Sequence, residues 1–467
     1  MVFSLTIFLE TAYYYLFKTN FSSSAIFVSL DSNSEEAKEF LGFYIDLPIV
    51  ILAILTFIIT SIVLMNTKTV LNKATLSNKL MAISPLVIIL VFLKSSSLIV
   101  YNLPYLLIKS SIEYKIESKK LGDYKNNKTG DFDNVSRLIN NDEEDEGEEV
   151  YIVVIGESTS KSHFGLYNYY RQTTPLLNEI KDELLIYKDV ISPHTYTIAS
   201  LTKAFTLSNY ENPKADYKGT IIQLLNEAKF KTYWISNQKP IGFFDSQVTK
   251  MGLGAQKSFF LNLKHTNERT TFDEVLLEQL KKVVQEKDKK KVIFLHMLGA
   301  HIDYKKRYPE EFNYFDSMPL TPFNEKKVYD AINSYDNAIK YSDYIIREVI
   351  ETTRELKVKS CVLYFSDHGE EVYEDIYFKG HSADQIITKN IYEIPVLLWV
   401  SDKFKKEGDI FLNCNSKYMI DDLFHSIADL LAVKADEVDS TRSIFNSYFK
   451  ERKRIIKDTI NYDTFFN

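Results

Sequence analysis

The residues of this chain that could do chemistry gather at the ends of apolar runs. Cys361-Val362-Leu363-Tyr364-Phe365 stops abruptly in Ser366-Asp367-His368-Gly369-Glu370. That texture predicts a buried strand that delivers polar groups at its C-terminal edge, where open α/β sheets carry their sites. Asp367 and His368 offer one oxygen and one nitrogen ligand, a pairing zinc accepts. An Asp-His pair at a strand end more often serves only a turn, so the weight rests on a second strand end upstream. Tyr151-Ile152-Val153-Val154-Ile155 runs into Gly156-Glu157. If the two strands lie side by side and parallel, Glu157, Asp367 and His368 meet at one sheet edge and make a site for one zinc.

A nucleophile belongs beside such an ion, because a metal lowers the pKa of a coordinated oxygen and turns a hydroxyl toward its alkoxide. Ser192-Pro193-His194-Thr195-Tyr196-Thr197-Ile198-Ala199-Ser200 offers aliphatic hydroxyls ahead of a helix-like run. A helix N-terminus there would help hold an anionic phosphate. Residue type leaves the choice among Thr195, Thr197 and Ser200 open.

The elements that must position these groups alternate. Strands are expected over 151–155, 231–235, 291–296, 360–365 and 396–400, with helices over 175–183, 219–228, 272–285 and 326–351. The order predicts an α/β fold with a mostly parallel sheet covered by helices on both faces. In the longest helix, Tyr335, Ile339, Ser342, Ile346 and Ile350 recur at helical spacing and read as a core stripe.

The first hundred residues are different material. Ile45–Met65 and Leu80–Tyr101 are apolar runs of spanning length, and about 20 such residues cross a bilayer. Met1–Phe17 is a shorter apolar stretch carrying Glu10; without a basic leader or small-residue cleavage site it reads as a third span, not a signal peptide. Lys68, Lys73 and Lys79, with no acid between the later spans, mark that loop as cytoplasmic, which puts everything after about Tyr101 outside. Three parts are therefore expected. Residues 1–104 form a transmembrane helical region, 105–149 an interfacial helix and acidic linker, and 150–467 an extracytoplasmic catalytic domain. The linker contains Ile108–Leu121, a helix-compatible amphipathic stretch suited to a membrane surface. It ends in seven acids among residues 142–149, which read as solvated connector.

Bulk composition narrows the classes further. The 467 residues are 45% hydrophobic and 25% charged, and a net charge of −7 gives no basis for nucleic acid binding. Two cysteines, Cys361 and Cys414, exclude a cysteine-rich zinc finger. Cys361 is expected as a small buried hydrophobe in its strand.

In order along the chain stand Gly156-Glu157-Ser158-Thr159, His163-Phe164-Gly165-Leu166-Tyr167, Arg171-Gln172-Thr173-Thr174-Pro175 and the Ser-Pro-His-Thr-Tyr-Thr segment. Trp234-Ile235-Ser236-Asn237-Gln238 and Ser366-Asp367-His368-Gly369-Glu370 follow. This series resembles the phosphoethanolamine transferases, inner-membrane enzymes of the alkaline phosphatase and sulfatase superfamily that decorate lipopolysaccharide, and the likeness runs from about residue 1 to 450. The resemblance implies an alkaline phosphatase/sulfatase-like catalytic domain in the periplasm. It implies zinc as cofactor, phosphatidylethanolamine as donor, lipopolysaccharide (core sugar or lipid A) as acceptor, and the bilayer itself as partner. Residue by residue, the zinc-bound glutamate falls on Glu157, the nucleophilic threonine on Thr197, and the Asp-His pair on Asp367 and His368. Two further histidines that bind phosphate or move protons fall on His301 and His381, and head-group contacts on Asn237, Gln238 and Glu370.

Departures from the family pattern are also visible. Members usually carry about five membrane helices, so two firm spans and a short one imply either a truncated N-terminus or a misplaced start codon. The disulfide that brackets the nucleophile in many members has no counterpart, since 192–205 holds no cysteine. Lys161 stands where an arginine is common. A phosphoglycerol transferase or phosphoesterase of the same superfamily is the alternative within enzymes. A sulfatase is disfavoured because no Cys/Ser-x-Pro-x-Arg motif lies near Thr197. A membrane-anchored binding protein with a decayed site is the alternative outside enzymes, and it would lack zinc.

Overall fold

Glu149–Gly156 (β1) is buried at every position, and such a strand can be satisfied only in the middle of a sheet. In the computed structural model it lies there. The structure describes residues 2–17, 45–66, 84, 91–96, 103–112, 115, 128–137, 147–238, 247–262, 271–381, 386–407 and 413–466. Besides β1, the main sheet contains Leu184–Tyr187 (β2), Lys231–Ser236 (β3), Lys257–Phe260 (β4), Lys290–His296 (β5), Lys359–Ser366 (β6) and Val396–Val400 (β7). Their spatial order is β2-β7-β6-β1-β5-β3-β4. The pairs from β6 across to β4 are all parallel, while β7 runs antiparallel to both β6 and β2. The expected mostly parallel sheet is thus mixed at one side.

Helices cover both faces. Tyr151, Val153 and Ile155 join a core with Leu201, Phe205, Ile221, Leu224, Phe424 and Ile427 from helices on one side. The intervening Ile152 and Val154 point the other way, as the two-residue period of a strand requires, and are equally buried. The helix Lys326–Glu355 (α3) packs against β6, and its stripe Tyr335, Ile339, Ser342, Ile346 and Ile350 is buried throughout. The expected helix over 219–228 forms as Ile221–Glu227, where Thr220 and Gln223 make a reciprocal capping box. The expected helix over 175–183 is shorter, Pro175–Glu179, followed by a separate turn of 3-10 helix.

The chain divides into two compact units. Met1–Glu117, with 383–386, forms one, and the sheet and its helices form the other. Within the first, Val2–Phe17 (α1) and Leu47–Asn66 (α2) are helices. The segment Leu47–Met65 has mean hydropathy 2.9 and is long and apolar enough to cross a membrane. Its polar side chains are satisfied internally, since Thr56, Thr60 and Ser61 each donate to the carbonyl four residues back. Asp46 accepts the Ile49 N–H at the start of that helix and the Tyr15 hydroxyl from α1. The expected span over Leu80–Tyr101, the loop lysines and acids 142–146 lie largely outside the described residues. Of the expected interfacial stretch Ile108–Leu121, residues 108–112 are described, as the end of the helix Leu103–Ile112, together with Lys115.

Candidate metal and nucleophile centre

Strand register decides what meets at the sheet edge. β1 and β6 pair in parallel from Glu149 opposite Lys359 to Gly156 opposite Ser366. Both strands therefore end level, and the Asp367 N–H extends the ladder one step by donating to the Gly156 carbonyl at 3.1 Å. Glu157, Asp367 and His368 emerge together and are essentially excluded from solvent. One ligand atom from each lies within 4.8 Å of the others. His368 Nε2 is 3.4 Å from Glu157 Oε1 and 3.4 Å from Asp367 Oδ2. Its Nδ1 sits 2.8 Å from the Gly369 carbonyl, so the tautomer with the proton on Nδ1 satisfies that carbonyl and leaves the Nε2 lone pair facing the carboxylates.

The hydroxyl chosen by the fold is Thr197. It opens the helix Thr197–Phe205 (α4), and its Oγ1 lies 3.3 and 3.2 Å from the two Glu157 oxygens. Ser200 is engaged elsewhere, donating to the Asp367 carbonyl and sharing a contact with Ser192. Thr195 is buried, in the loop before that helix. Of the three candidate hydroxyls, Thr197 is the one the structure places against the Glu157 carboxylate.

The residues present fit a divalent cation such as zinc. Two carboxylates, an imidazole nitrogen and a hydroxyl supply four ligands of the types zinc takes. Asp367 Oδ2 and His368 Nε2 are buried and make no hydrogen bond. Buried polar atoms are otherwise almost always satisfied, and both of these face the same point. The electrostatics agree. Burial, then the Glu157 charge, pushes the Asp367 carboxyl well above its usual range. Burial works against the charge on His368 too, but the Asp367 and Glu157 carboxylates outweigh it and push the imidazole up. Two buried carboxylates side by side demand positive charge.

Around this cluster the other expected residues divide. His381 joins it: its ring lies 4.2 Å from that of His368, and its Nδ1 is 2.5 Å from Glu370 Oε2. The second Glu370 oxygen accepts the Tyr304 hydroxyl at 2.5 Å. Both oxygens are therefore engaged within the protein, where the family resemblance implies a head-group contact. His301 stands close enough to Glu157, His381 and His368 for their charges to interact, and burial pushes its imidazole down to about 3. Asn237 is fully buried and its amide donates to the Thr271 carbonyl and to Asp273, which itself holds the Leu298 and Gly299 N–H groups. Gln238 is half-buried and donates to the Met297 carbonyl.

One histidine escapes a reading by motif. His296, the last residue of β5, is buried, its Nε2 lacks a partner, and it feels the Glu157 charge. The available signal is a third apolar run, 291–296, that ends in a polar side chain.

A sheet edge carrying this donor set beside a hydroxyl at a helix start describes a metal-assisted enzyme of ester chemistry. A sulfatase family model matches residues 149–433. Phosphoethanolamine transferase CptA of Salmonella typhimurium is 30% identical, over 97% of this chain and 83% of its own length. Phosphoethanolamine transferase EptC of Escherichia coli K12 is 28% identical over the same shares. Among solved structures, the zinc complex of the periplasmic domain of Escherichia coli EptC superposes with a TM-score of 0.67 and 31% identity, covering 72% of this chain and 97% of that one. The integral membrane protein EptA of Neisseria meningitidis matches at TM-score 0.72 and 21% identity, over 95% and 86%, and so supports the fold. This chain belongs to the sulfatase family and, within it, to the phosphoethanolamine transferases. It is accordingly a phosphotransferase.

Proposed function

We propose that this protein moves phosphoethanolamine from phosphatidylethanolamine to lipopolysaccharide through a covalent phosphothreonine on Thr197. The observation that carries the reading is the Thr197 hydroxyl 3.2–3.3 Å from both oxygens of a buried glutamate, beside Asp367 and His368. Glu157, Thr197, Asp367 and His368 would hold zinc, the metal with which the periplasmic domain of EptC forms a complex. Bound there, the ion would lower the pKa of the threonine hydroxyl and neutralise charge on the phosphoryl group.

The chain's own residues account for the rest. Thr197 Oγ attacks phosphorus, the bond to the diacylglycerol oxygen breaks, and that oxygen takes a proton from His381, while His301, which burial keeps neutral, binds the phosphoryl group. An acceptor hydroxyl or phosphate then loses its proton to the His381 imidazole and attacks the phosphothreonine, which restores Thr197. The start of α4 supports this, because its free N–H groups favour an anion beside Thr197. Glu370 acts in this scheme by orienting His381, while Asn237 and Gln238 shape the wall on the side of the substrate head group. The division into a transmembrane part (1–104), a linker (105–149) and a catalytic domain (150–467) completes the reading. Leu47–Met65 crosses the inner membrane and the catalytic domain works in the periplasm, where anchoring keeps the enzyme near two lipid substrates.

Mass spectrometry of lipopolysaccharide from cells with and without the protein tests this. One added phosphoethanolamine unit is expected, and its position identifies core sugar or lipid A. Identical spectra from both strains would count against the proposal.

A further inference from the structure

The turn that carries Glu157 is held in an uncommon shape. Ser158 adopts φ +53°, a left-handed conformation that residues with a Cβ rarely take without support. That shape gives Ser158 two contacts at once. Its N–H donates to Asp367 Oδ1 at 3.1 Å, and its hydroxyl donates to Glu157 Oε1 at 2.9 Å. A single residue thus fixes one oxygen on each of the two carboxylates, leaving Glu157 Oε2 and Asp367 Oδ2 free of it.

The support comes from α3, on the far side of the turn. The Tyr335 hydroxyl donates to the Ser158 carbonyl at 2.7 Å and accepts the Ser160 N–H at 2.8 Å. It therefore bridges the turn from both ends. The ring cannot swing away, because His163 and Tyr304 pack against it edge-on, each with a centroid distance of 4.9 Å. Tyr335 is fully buried, so no water competes for either bond.

We propose that Tyr335 is a positioning residue for the metal-binding carboxylates Glu157 and Asp367, acting through the left-handed Ser158 turn. The inference rests on the reading that these carboxylates hold zinc. Groups that orient metal ligands from behind typically change affinity about 10- to 100-fold when removed. A tyrosine that merely filled the core would change stability and leave affinity alone.

The experiment measures zinc affinity of the full-length protein in detergent by competition with a chelator, and the zinc-induced rise in Tm for each variant against its own metal-free form. Tyr335→Phe keeps the ring and removes the hydroxyl, and zinc binding is expected to weaken about 10- to 100-fold. Tyr341→Phe is the matched control. It lies on the same helix, and its hydroxyl accepts a backbone N–H, that of Glu274, away from the carboxylates. It is expected to lower Tm and leave zinc affinity at the wild-type value. Ser160→Pro removes the other N–H that orients the Tyr335 hydroxyl, at a residue whose φ of −77° already suits proline, and should weaken zinc in the same direction. Wild-type affinity in Tyr335→Phe, or in Ser160→Pro should the first variant not fold, overturns the inference. So does an equal loss in Tyr341→Phe. A different result, unchanged zinc affinity in Glu157→Ala, would instead overturn the zinc assignment itself.

Discussion

His381 Nδ1 lies 2.5 Å from Glu370 Oε2, and the same carboxylate is held from its other side by the Tyr304 hydroxyl. The pairing puts the Nδ1 proton on the Glu370 side and leaves Nε2 for chemistry, the arrangement that orients a general acid or base. Glu370→Gln breaks it by replacing an acceptor with a donor. Transfer turnover is expected to fall by about one to two orders of magnitude, while zinc affinity changes less. Steady-state transfer assays beside a chelator competition check both halves.

Thr197 separates chemistry from metal binding. Thr197→Ala removes the proposed nucleophile but only one of the four proposed ligands, so transfer should vanish while zinc is largely retained. Thr197→Ser should restore part of the activity, since the attacking oxygen returns. Metal analysis and a phosphothreonine search by peptide mass spectrometry read these outcomes. Full activity in Thr197→Ala would refute the assignment.

Gly299 sits under Glu157 at φ +54°, and a Cβ there would come within 2.9 Å of both the Glu157 nitrogen and its carbonyl oxygen. Gly299→Ala is therefore expected to lower stability by at least about 1–2 kcal/mol from the left-handed backbone alone. Displacement of Glu157 should weaken zinc as well. Thermal unfolding with and without metal distinguishes the two effects.

A buried charge network away from the centre predicts a pH response. His163 Nδ1 lies 2.6 Å from Asp336, and its Nε2 is 3.1 Å from Glu374 in a charge contact that is not an aligned hydrogen bond. Burial alone would lower this imidazole, but the Glu374 and Asp336 charges push it up to about 10. Unfolded histidine titrates near about 6.5, so the folded chain holds the proton more tightly. The contribution is fully present below about pH 6.5 and is lost as pH rises through about 10. Tm should therefore decline between pH 7 and 10, and His163→Gln should flatten that decline.

The two cysteines are free, with Cys361 buried in β6 and its thiol pushed up by burial. Reductant should leave Tm unchanged. In the native protein, a thiol reagent should label the half-buried Cys414 well before Cys361.

Much of the centre was legible in the chain because strand ends announce themselves. The runs 151–155 and 360–365 break sharply into polar residues, and the fold needed only to set them side by side for Glu157, Asp367 and His368 to meet. Less legible were features that depend on distant packing. β2 and β4 are short edge strands whose pairing comes from their neighbours, and the reversed direction of β7 leaves no mark on its apolar run. Tyr335 carries a core stripe and a polar task in one side chain, and spacing reports only the stripe. Asn237 looks like a loop residue until Asp273 arrives from 36 positions away to bind it.

The level finish of β1 and β6 makes their eight-pair ladder a ruler for the ligand geometry. Adding one residue inside 359–366 would advance Asp367 by about 3.3 Å and turn it to the opposite face. Drift in this sequence is therefore tolerated along the helical connections and forbidden in the phase of two central strands, where a single-codon insertion would abolish the centre without altering any of its residues.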